Sequence, residues 1–123
     1  MDSIGGEILD AAIAVHRELG PGLLESAYRI SLKRELEWRG YTVNEHVPVD
    51  LVYKGVTLEK IYVIDLLVEG EIIIEIKACA TLLPIFTAQL ITYLKLYKKR
   101  LGYLVNFNVP LLKCGFKRIV SNL

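Results

Sequence analysis

Two runs of β-forming residues, 61–68 and 71–78, flank a Glu69-Gly70 turn signal, and the charges inside those runs narrow the possible folds most. A tight turn between two β-rich segments predicts an antiparallel hairpin. Side chains alternate along a strand, so Glu75 and Lys77 share one face of the second segment while Ile72, Ile74, Ile76 and Ala78 share the other. In the first segment, Asp65 is expected to share its face with Ile61, Val63 and Leu67. A carboxylate at mid-strand among apolar neighbours is costly to bury and adds little solubility, so it calls for a partner. Asp65 and Glu75 lie equally far on either side of Gly70 and are expected to meet across the pair.

Two carboxylates at close range repel. A divalent cation resolves that conflict by taking oxygen ligands from both acids, with Mg²⁺ octahedral and its oxygens roughly 2.0 to 2.1 Å away. Lys77 then stands beside the ion without ligating it, where its ammonium can orient a water or stabilise phosphate oxygens. The same spacing also fits a surface salt bridge between Glu75 and Lys77, with Asp65 ending a strand, so the rest of the chain has to arbitrate.

Ile4, Ile8, Ala12, Val15 and Leu19 recur at helical spacing and predict a first helix over residues 4–19. Gly20-Pro21-Gly22 stops it. A second helix is expected from residue 23 or 24 to 39, with Leu24, Tyr28, Leu32 and Leu36 as its apolar stripe and Gly40 as its cap. Val47, Val49, Leu51 and Tyr53 then alternate as a strand, and Lys54-Gly55 turns the chain into a short continuation over 56–58. Leu90, Leu94, Tyr97 and Leu101 predict a helix over 86–101, followed by strands at 103–107 and 116–120. The order helix, helix, three-strand meander, crossover helix, strand predicts an α/β fold. A mixed sheet with helices on both faces, formed as one domain over 1–123, satisfies it.

Lys and Arg number 15 against 14 Asp and Glu, a formal charge of +1, so no global field steers nucleic acid to the chain. A nucleic-acid surface would need local asymmetry, and Lys33, Arg34 and the 95–100 cluster are the candidate phosphate contacts. Solvation and helix capping also account for them. Cys79 and Cys114 have neither zinc-knuckle nor disulfide spacing. The acidic start (Asp2, Glu7, Asp10) is unlike a secretory signal, which suggests a cytoplasmic protein. The uncharged run 78–94 is too short and too polar for a membrane span.

Three more residues stand out. Glu25 falls in the first turn of the second helix, where a negative charge is favoured, and simple capping would explain it. Gln89 and Tyr93 share a helix face at i,i+4 and can point an amide and a phenol at one place, although a core tyrosine with an amide at its edge is the ordinary alternative.

Taken together, Gly22-x-x-Glu25-x-x-Tyr28, Asp65, Glu75-Ile76-Lys77 and Gln89-x-x-x-Tyr93 resemble the GxxExxY protein family, placed in the PD-(D/E)XK nuclease superfamily. The resemblance extends over nearly the whole chain, through Tyr53-Lys54-Gly55, Asn106-Phe107 and the 115–119 segment. It implies a restriction-endonuclease-like mixed sheet flanked by helices and a metal-dependent nuclease hydrolysing phosphodiester bonds of DNA or RNA. Asp65 and Glu75 would bind the cation, Mg²⁺ or else Mn²⁺, with the main-chain carbonyl of Ile76 as a further ligand and Glu25 completing the acidic shell. Lys77 would support the water or phosphate, while Gln89 and Tyr93 resemble the Q-x-x-x-Y element of the RecB-like branch, which contacts substrate. Ile64 stands where the superfamily name has proline, which bears on strand geometry more than on metal chemistry. The alternatives are a nucleic-acid-binding or DNA-repair-associated protein that keeps the nuclease fold without cleaving, and a protein-interaction module. Few loops are long enough to wrap DNA, which leaves a homodimer or an accessory protein as a means of completing a binding channel.

Overall fold

The computed structural model describes residues 3–121. The chain runs α1 (Ser3–Leu19), α2 (Glu25–Trp38), β1 (Val43–Tyr53), β2 (Val56–Val68), β3 (Ile72–Lys77), α3 (Pro84–Tyr97), β4 (Leu101–Asn106), a short 3₁₀ turn (Leu112–Gly115) and β5 (Phe116–Val120). The five strands lie in the order β1-β2-β3-β4-β5. The first three form an antiparallel meander, β4 pairs parallel to β3 after the α3 crossover, and β5 returns antiparallel to β4. This is the expected α/β mixed sheet.

Each face of the sheet has its own apolar layer. On one side Ile8, Ala12 and Val15 of α1 and Tyr28, Leu32 and Leu36 of α2 pack on Ile72, Ile74, Ile76, Tyr103 and Val105. On the other, Leu90, Tyr93 and Leu94 of α3 cover Ile64, Leu67, Ile73 and Leu104. Burial on both faces explains why β3 reads as a nearly continuous apolar run, as strands in parallel pairings do. Where β4 passes beneath α3 the fit is close: a Cβ at Gly102 would come within 3.0 Å of Leu90 and 3.1 Å of the Ile73 carbonyl oxygen.

Several boundaries differ from expectation. Leu24 is the N-cap of α2 and 77% exposed, so the apolar stripe begins at Tyr28. The segment at 56–58 is the start of β2 itself, joined to 61–68 across an irregularity. There Lys60 takes φ 54 and donates its N–H to Asp50 at 2.9 Å. Helix α3 begins at Pro84, whose missing N–H is harmless in a first turn, and stops when Lys98 adopts a left-handed conformation. Leu101 therefore opens β4 and is not part of the helix stripe. Of the basic run, Lys95 alone lies in the last turn of α3, and Lys99 reaches Glu71 at 3.0 Å.

One irregularity shapes the site. Leu66 and Val68 face the α1/α2 layer and Leu67 the α3 layer, yet Ile64 also packs in the α3 layer, so the alternation of β2 reverses at Asp65. Strand β1 reverses at the matching place. Val43 packs under α1/α2 and Val47 against the α3 layer, with His46 at φ 54 between them. Pairing of Glu45 with Leu66 and of Val47 with Ile64 sets His46 opposite Asp65. Asp65 therefore does not share an uninterrupted face with Ile61, Val63 and Leu67: Ile61 and Val63 are exposed, whereas Leu67 is buried.

Candidate active site

Backbone pairing between β2 and β3 covers Val68 with Ile72, Leu67 with Ile73 and Leu66 with Ile74. At the next position the two acids take over. The backbone N–H of Asp65 donates to Oε2 of Glu75 at 2.8 Å, and the N–H of Ile76 donates to Oδ2 of Asp65 at 2.8 Å. A buried amide must be satisfied by something, and here each carboxylate serves the backbone beside the other. The crossed pair fixes both side chains with one oxygen apiece, and among the described residues the second oxygen of each carboxylate has no hydrogen-bond donor.

The electrostatics of the pair are unfavourable. Glu75 is buried, and burial followed by the charge of Asp65 pushes its carboxyl up to about 8, against the pull of the Asp65 N–H and of Lys77. Asp65 is raised as well, first by burial and then by Glu25, despite its hydrogen bond from Ile76 and the nearby charges of Lys77 and Arg29. Two close carboxylates in a poorly solvated place cannot both ionise cheaply, so the metal-free pair retains a proton into the neutral range.

Other side chains converge from three elements. The ammonium of Lys77 lies over the ring of Phe86 in α3, 4.5 Å from its centroid. Such a contact holds a cation without neutralising it. Tyr93, on the same helix, is buried, and its phenol is pushed up to about 12 by burial, then by the charges of Glu75 and Asp65, so it remains a proton donor. Gln89 and Tyr93 line one open cavity of about 350 Å³ together with Tyr62, Phe86 and Ile85. Glu25, exposed in the first turn of α2, acts on both acids through its charge. Among the described residues no group of three or more His, Cys, Asp or Glu side chains is arranged to hold a metal ion, so Glu25 does not close a three-acid cluster with the pair.

The Gly22, Glu25 and Tyr28 spacing has a mechanical origin. The Tyr28 hydroxyl donates to the Gly20 carbonyl and accepts from the Leu23 N–H at 3.0 Å, tying the loop to the helix that follows. Its ring stacks on Phe107 at 4.5 Å and 6°, which anchors the loop to the core. Gly22, at φ 98, supplies the left-handed turn that lets α2 start at Glu25.

The expected phosphate contacts separate from this site. Strand β3 pairs Ile72 with Leu101 at one end and Lys77 with Asn106 at the other, so Lys98, Lys99 and Arg100 lie at the far end of the strand from Lys77. Five strand residues span roughly 16 Å, more than one phosphate can bridge. Lys33 pairs with Glu37 at 3.1 Å, and Arg34 lies over Trp38.

Four contributors had no site role assigned from sequence, although Asn106 and Gly115 fall in segments that carry the family resemblance. Asn106 is buried; its Oδ1 accepts from the N–H groups of Cys79 and Asn108, and its Nδ2 donates to the Cys79 carbonyl at 2.9 Å. It thereby pins the chain just after Lys77. Gly115 allows the 3₁₀ turn to press on that strand end, since a Cβ there would lie 2.2 Å from the Asn106 carbonyl oxygen. Phe86 seats Lys77, and Arg29 pairs with Glu45 at 3.2 Å while acting on Asp65. A polar residue closing the apolar run of β4 was the available signal for Asn106; Phe86 and Arg29 left no signal separable from an ordinary core aromatic and a solvated helix face.

The donor set suits a hard divalent cation. A buried and a half-buried carboxylate, Glu75 and Asp65, both with raised proton affinity, each keep one oxygen free of hydrogen bonds among the described residues, and the Ile76 backbone is held beside them. Mg²⁺ is commonly bound through one or two carboxylates, with waters and substrate phosphates filling the remaining positions, so a three-acid cage is not required. The family model described as the PD-(D/E)XK nuclease superfamily matches residues 2–119. No curated protein matches the chain.

Proposed function

Given that this chain belongs to the PD-(D/E)XK nuclease superfamily, we propose that it is a metal-dependent nuclease acting through Asp65, Glu75 and Lys77, in a single domain over 1–123. The crossed Asp65–Glu75 pair carries this reading: Glu75 held at 2.8 Å on the Asp65 N–H and Asp65 at 2.8 Å on the Ile76 N–H, mutually destabilised, with a lysine one strand repeat beyond. A purely structural pair would gain little from that arrangement, because an uncompensated buried charge is a net cost. The Gly22, Glu25, Tyr28 spacing and the Gln89, Tyr93 pair support placement within the GxxExxY group and the RecB-like branch.

Asp65, Glu75 and the Ile76 carbonyl would hold Mg²⁺ or Mn²⁺, with Glu25 reaching the site through water. When bound, the cation supplies charge neutralisation and Lewis-acid stabilisation of phosphate oxygens. Lys77, seated on Phe86, donates hydrogen bonds to the attacking water or to a non-bridging phosphate oxygen, stabilising negative charge as it develops. In the hydrolysis, the water oxygen forms a bond to phosphorus while the bond to the leaving sugar oxygen breaks. The attacking water gives up one proton to solvent and the leaving oxygen takes one up from solvent, so the protons balance. Tyr93, a proton donor at neutral pH, and Gln89 orient the substrate from α3.

Among the described residues no helix is long and apolar enough to cross a membrane. The test is a digest of labelled single- and double-stranded DNA and RNA by the purified protein, with Mg²⁺, Mn²⁺ and EDTA arms. Cleavage in the metal arms alone is expected. Metal-independent binding without cleavage on every substrate would favour a nucleic-acid-binding protein that keeps the nuclease fold.

A further inference from the structure

The cavity beside the acids differs in character from them. It is lined by Tyr62 of β2 and by Ile85, Phe86, Gln89 and Tyr93 of α3, and its volume of about 350 Å³ exceeds that of a nucleobase. The rings of Tyr62 and Tyr93 stand 5.5 Å apart at 52°, and Phe86 carries the Lys77 ammonium on its ring. One aromatic side chain therefore belongs to both the cavity wall and the lysine's seat. A phosphate held by Lys77 has its own sugar and base within a few ångströms, and the near space able to take a flat aromatic group is this cavity. Among the described residues no Lys or Arg lines it, so it is unsuited to a second phosphate.

Resting on the nuclease reading above, we infer that the cavity receives an unpaired nucleobase adjoining the scissile phosphate, stacked against Tyr62 with the Gln89 amide at its edge. The substrate class is thus single-stranded nucleic acid, or a duplex end whose terminal base has left the stack. Bases inside a duplex are already stacked and paired, and entering a side cavity would require extruding one at an energetic cost. Stacking on aromatic side chains is tolerant of sequence, because every base presents a π-face, so little base preference is expected. The Gln89 amide can donate and accept, which fits several base edges equally.

The test separates this inference from the nuclease assignment by measuring binding in EDTA, where no cleavage can occur. Fluorescently labelled single-stranded DNA and RNA oligonucleotides and a blunt duplex of the same sequence are titrated with wild-type protein, Tyr62→Ala and Tyr62→Trp, each checked by circular dichroism. Single-strand binding is expected to exceed duplex binding, to weaken by about tenfold in Tyr62→Ala and to return in Tyr62→Trp. Oligonucleotides made wholly of abasic sugar-phosphate should lose the same factor with the wild-type protein and nothing further with Tyr62→Ala. This arm requires no variant to fold. Equal wild-type affinity for the normal and abasic strands would overturn the base pocket even if metal-dependent cleavage is intact. Base-dependent binding with no cleavage in any metal arm would retain the pocket and remove the nuclease function.

Discussion

The two ends of β3 are held by different means, and under the proposed function the contrast explains why one would be structural and the other chemical. From Ile72 to Ile74 the strand is laddered to β2 by backbone pairing and buried on both faces by apolar side chains. From Glu75 to Lys77 the β2 ladder gives way to carboxylates that hold backbone amides, with a cation on an aromatic ring alongside. At the first end every group is satisfied and uncharged. At the second, satisfaction of the backbone obliges two acids to lie close together, and their repulsion is what the proposed cation would relieve.

If that division is right, substitutions at the two ends should fail differently. The largest effect belongs to Lys77→Met, which retains much of the stem on Phe86 and deletes the charge. Folding and metal affinity should persist, while single-turnover cleavage falls about 100- to 1,000-fold, the scale of one lost preorganised contact. Rapid-quench measurement on one labelled strand checks this, and equal rates would remove Lys77 from the chemistry. At the other end, Ile74→Ala empties a fully buried position and should cost about 2 to 5 kcal/mol in urea unfolding. Cleavage by the remaining folded fraction should be nearly unchanged, and a selective loss of turnover would blur the division.

Acidity sharpens the comparison further. An unfolded Glu75 loses its proton near 4.5, whereas the folded one keeps it to about 8. Between those values the native state binds more protons than the unfolded one, so stability falls as pH rises through that window. The metal-free protein should therefore melt at a lower temperature at pH 8 than at pH 5. Glu75→Gln, whose amide oxygen can still accept from the Asp65 N–H, should flatten the slope and be more stable than wild type at pH 8. A slope unchanged by Glu75→Gln would show that the pair is not its source. The smallest effect expected is that of Tyr28→Phe, which removes the hydroxyl between Gly20 and Leu23 but keeps the stack on Phe107. A loss of about 1 kcal/mol by thermal melting is expected. Because Glu25 begins the helix that this loop introduces, cleavage should also slow modestly; unchanged melting would mean that the loop is held by the ring alone.

How much of this could be read in the sequence depended on whether the relevant contact was local. The Glu69-Gly70 turn centres the hairpin so that Asp65 and Glu75 oppose one another, and the turn-proximal register follows that centre. Period-two alternation likewise puts Glu75 and Lys77 on one side of β3, where Lys77 meets α3. Alternation misled in β2, because the reversal at Asp65 is set by its partner His46 on β1, a distant residue with no special preference for positive φ written in its neighbours. The basic run after α3 also looked like a substrate surface. Its distance from Lys77 follows from the parallel pairing of β3 with β4, which starts β4 at the wrong end of the site. Asn106 was invisible as a clamp for the same reason: its partner Cys79 lies in another element and meets it only when the sheet is assembled.

Whether the Asp65–Glu75 pair holds a divalent ion is measured by calorimetric titration of Mg²⁺ and Mn²⁺ into the metal-free protein at pH 7, repeated in buffers of different ionisation enthalpy. One divalent-ion site is expected, whose occupation releases a proton from the Asp65–Glu75 pair, with both binding and release lost in Asp65→Asn and Glu75→Gln. Binding that survives those substitutions, or a wild-type protein that takes up no divalent ion, would contradict it.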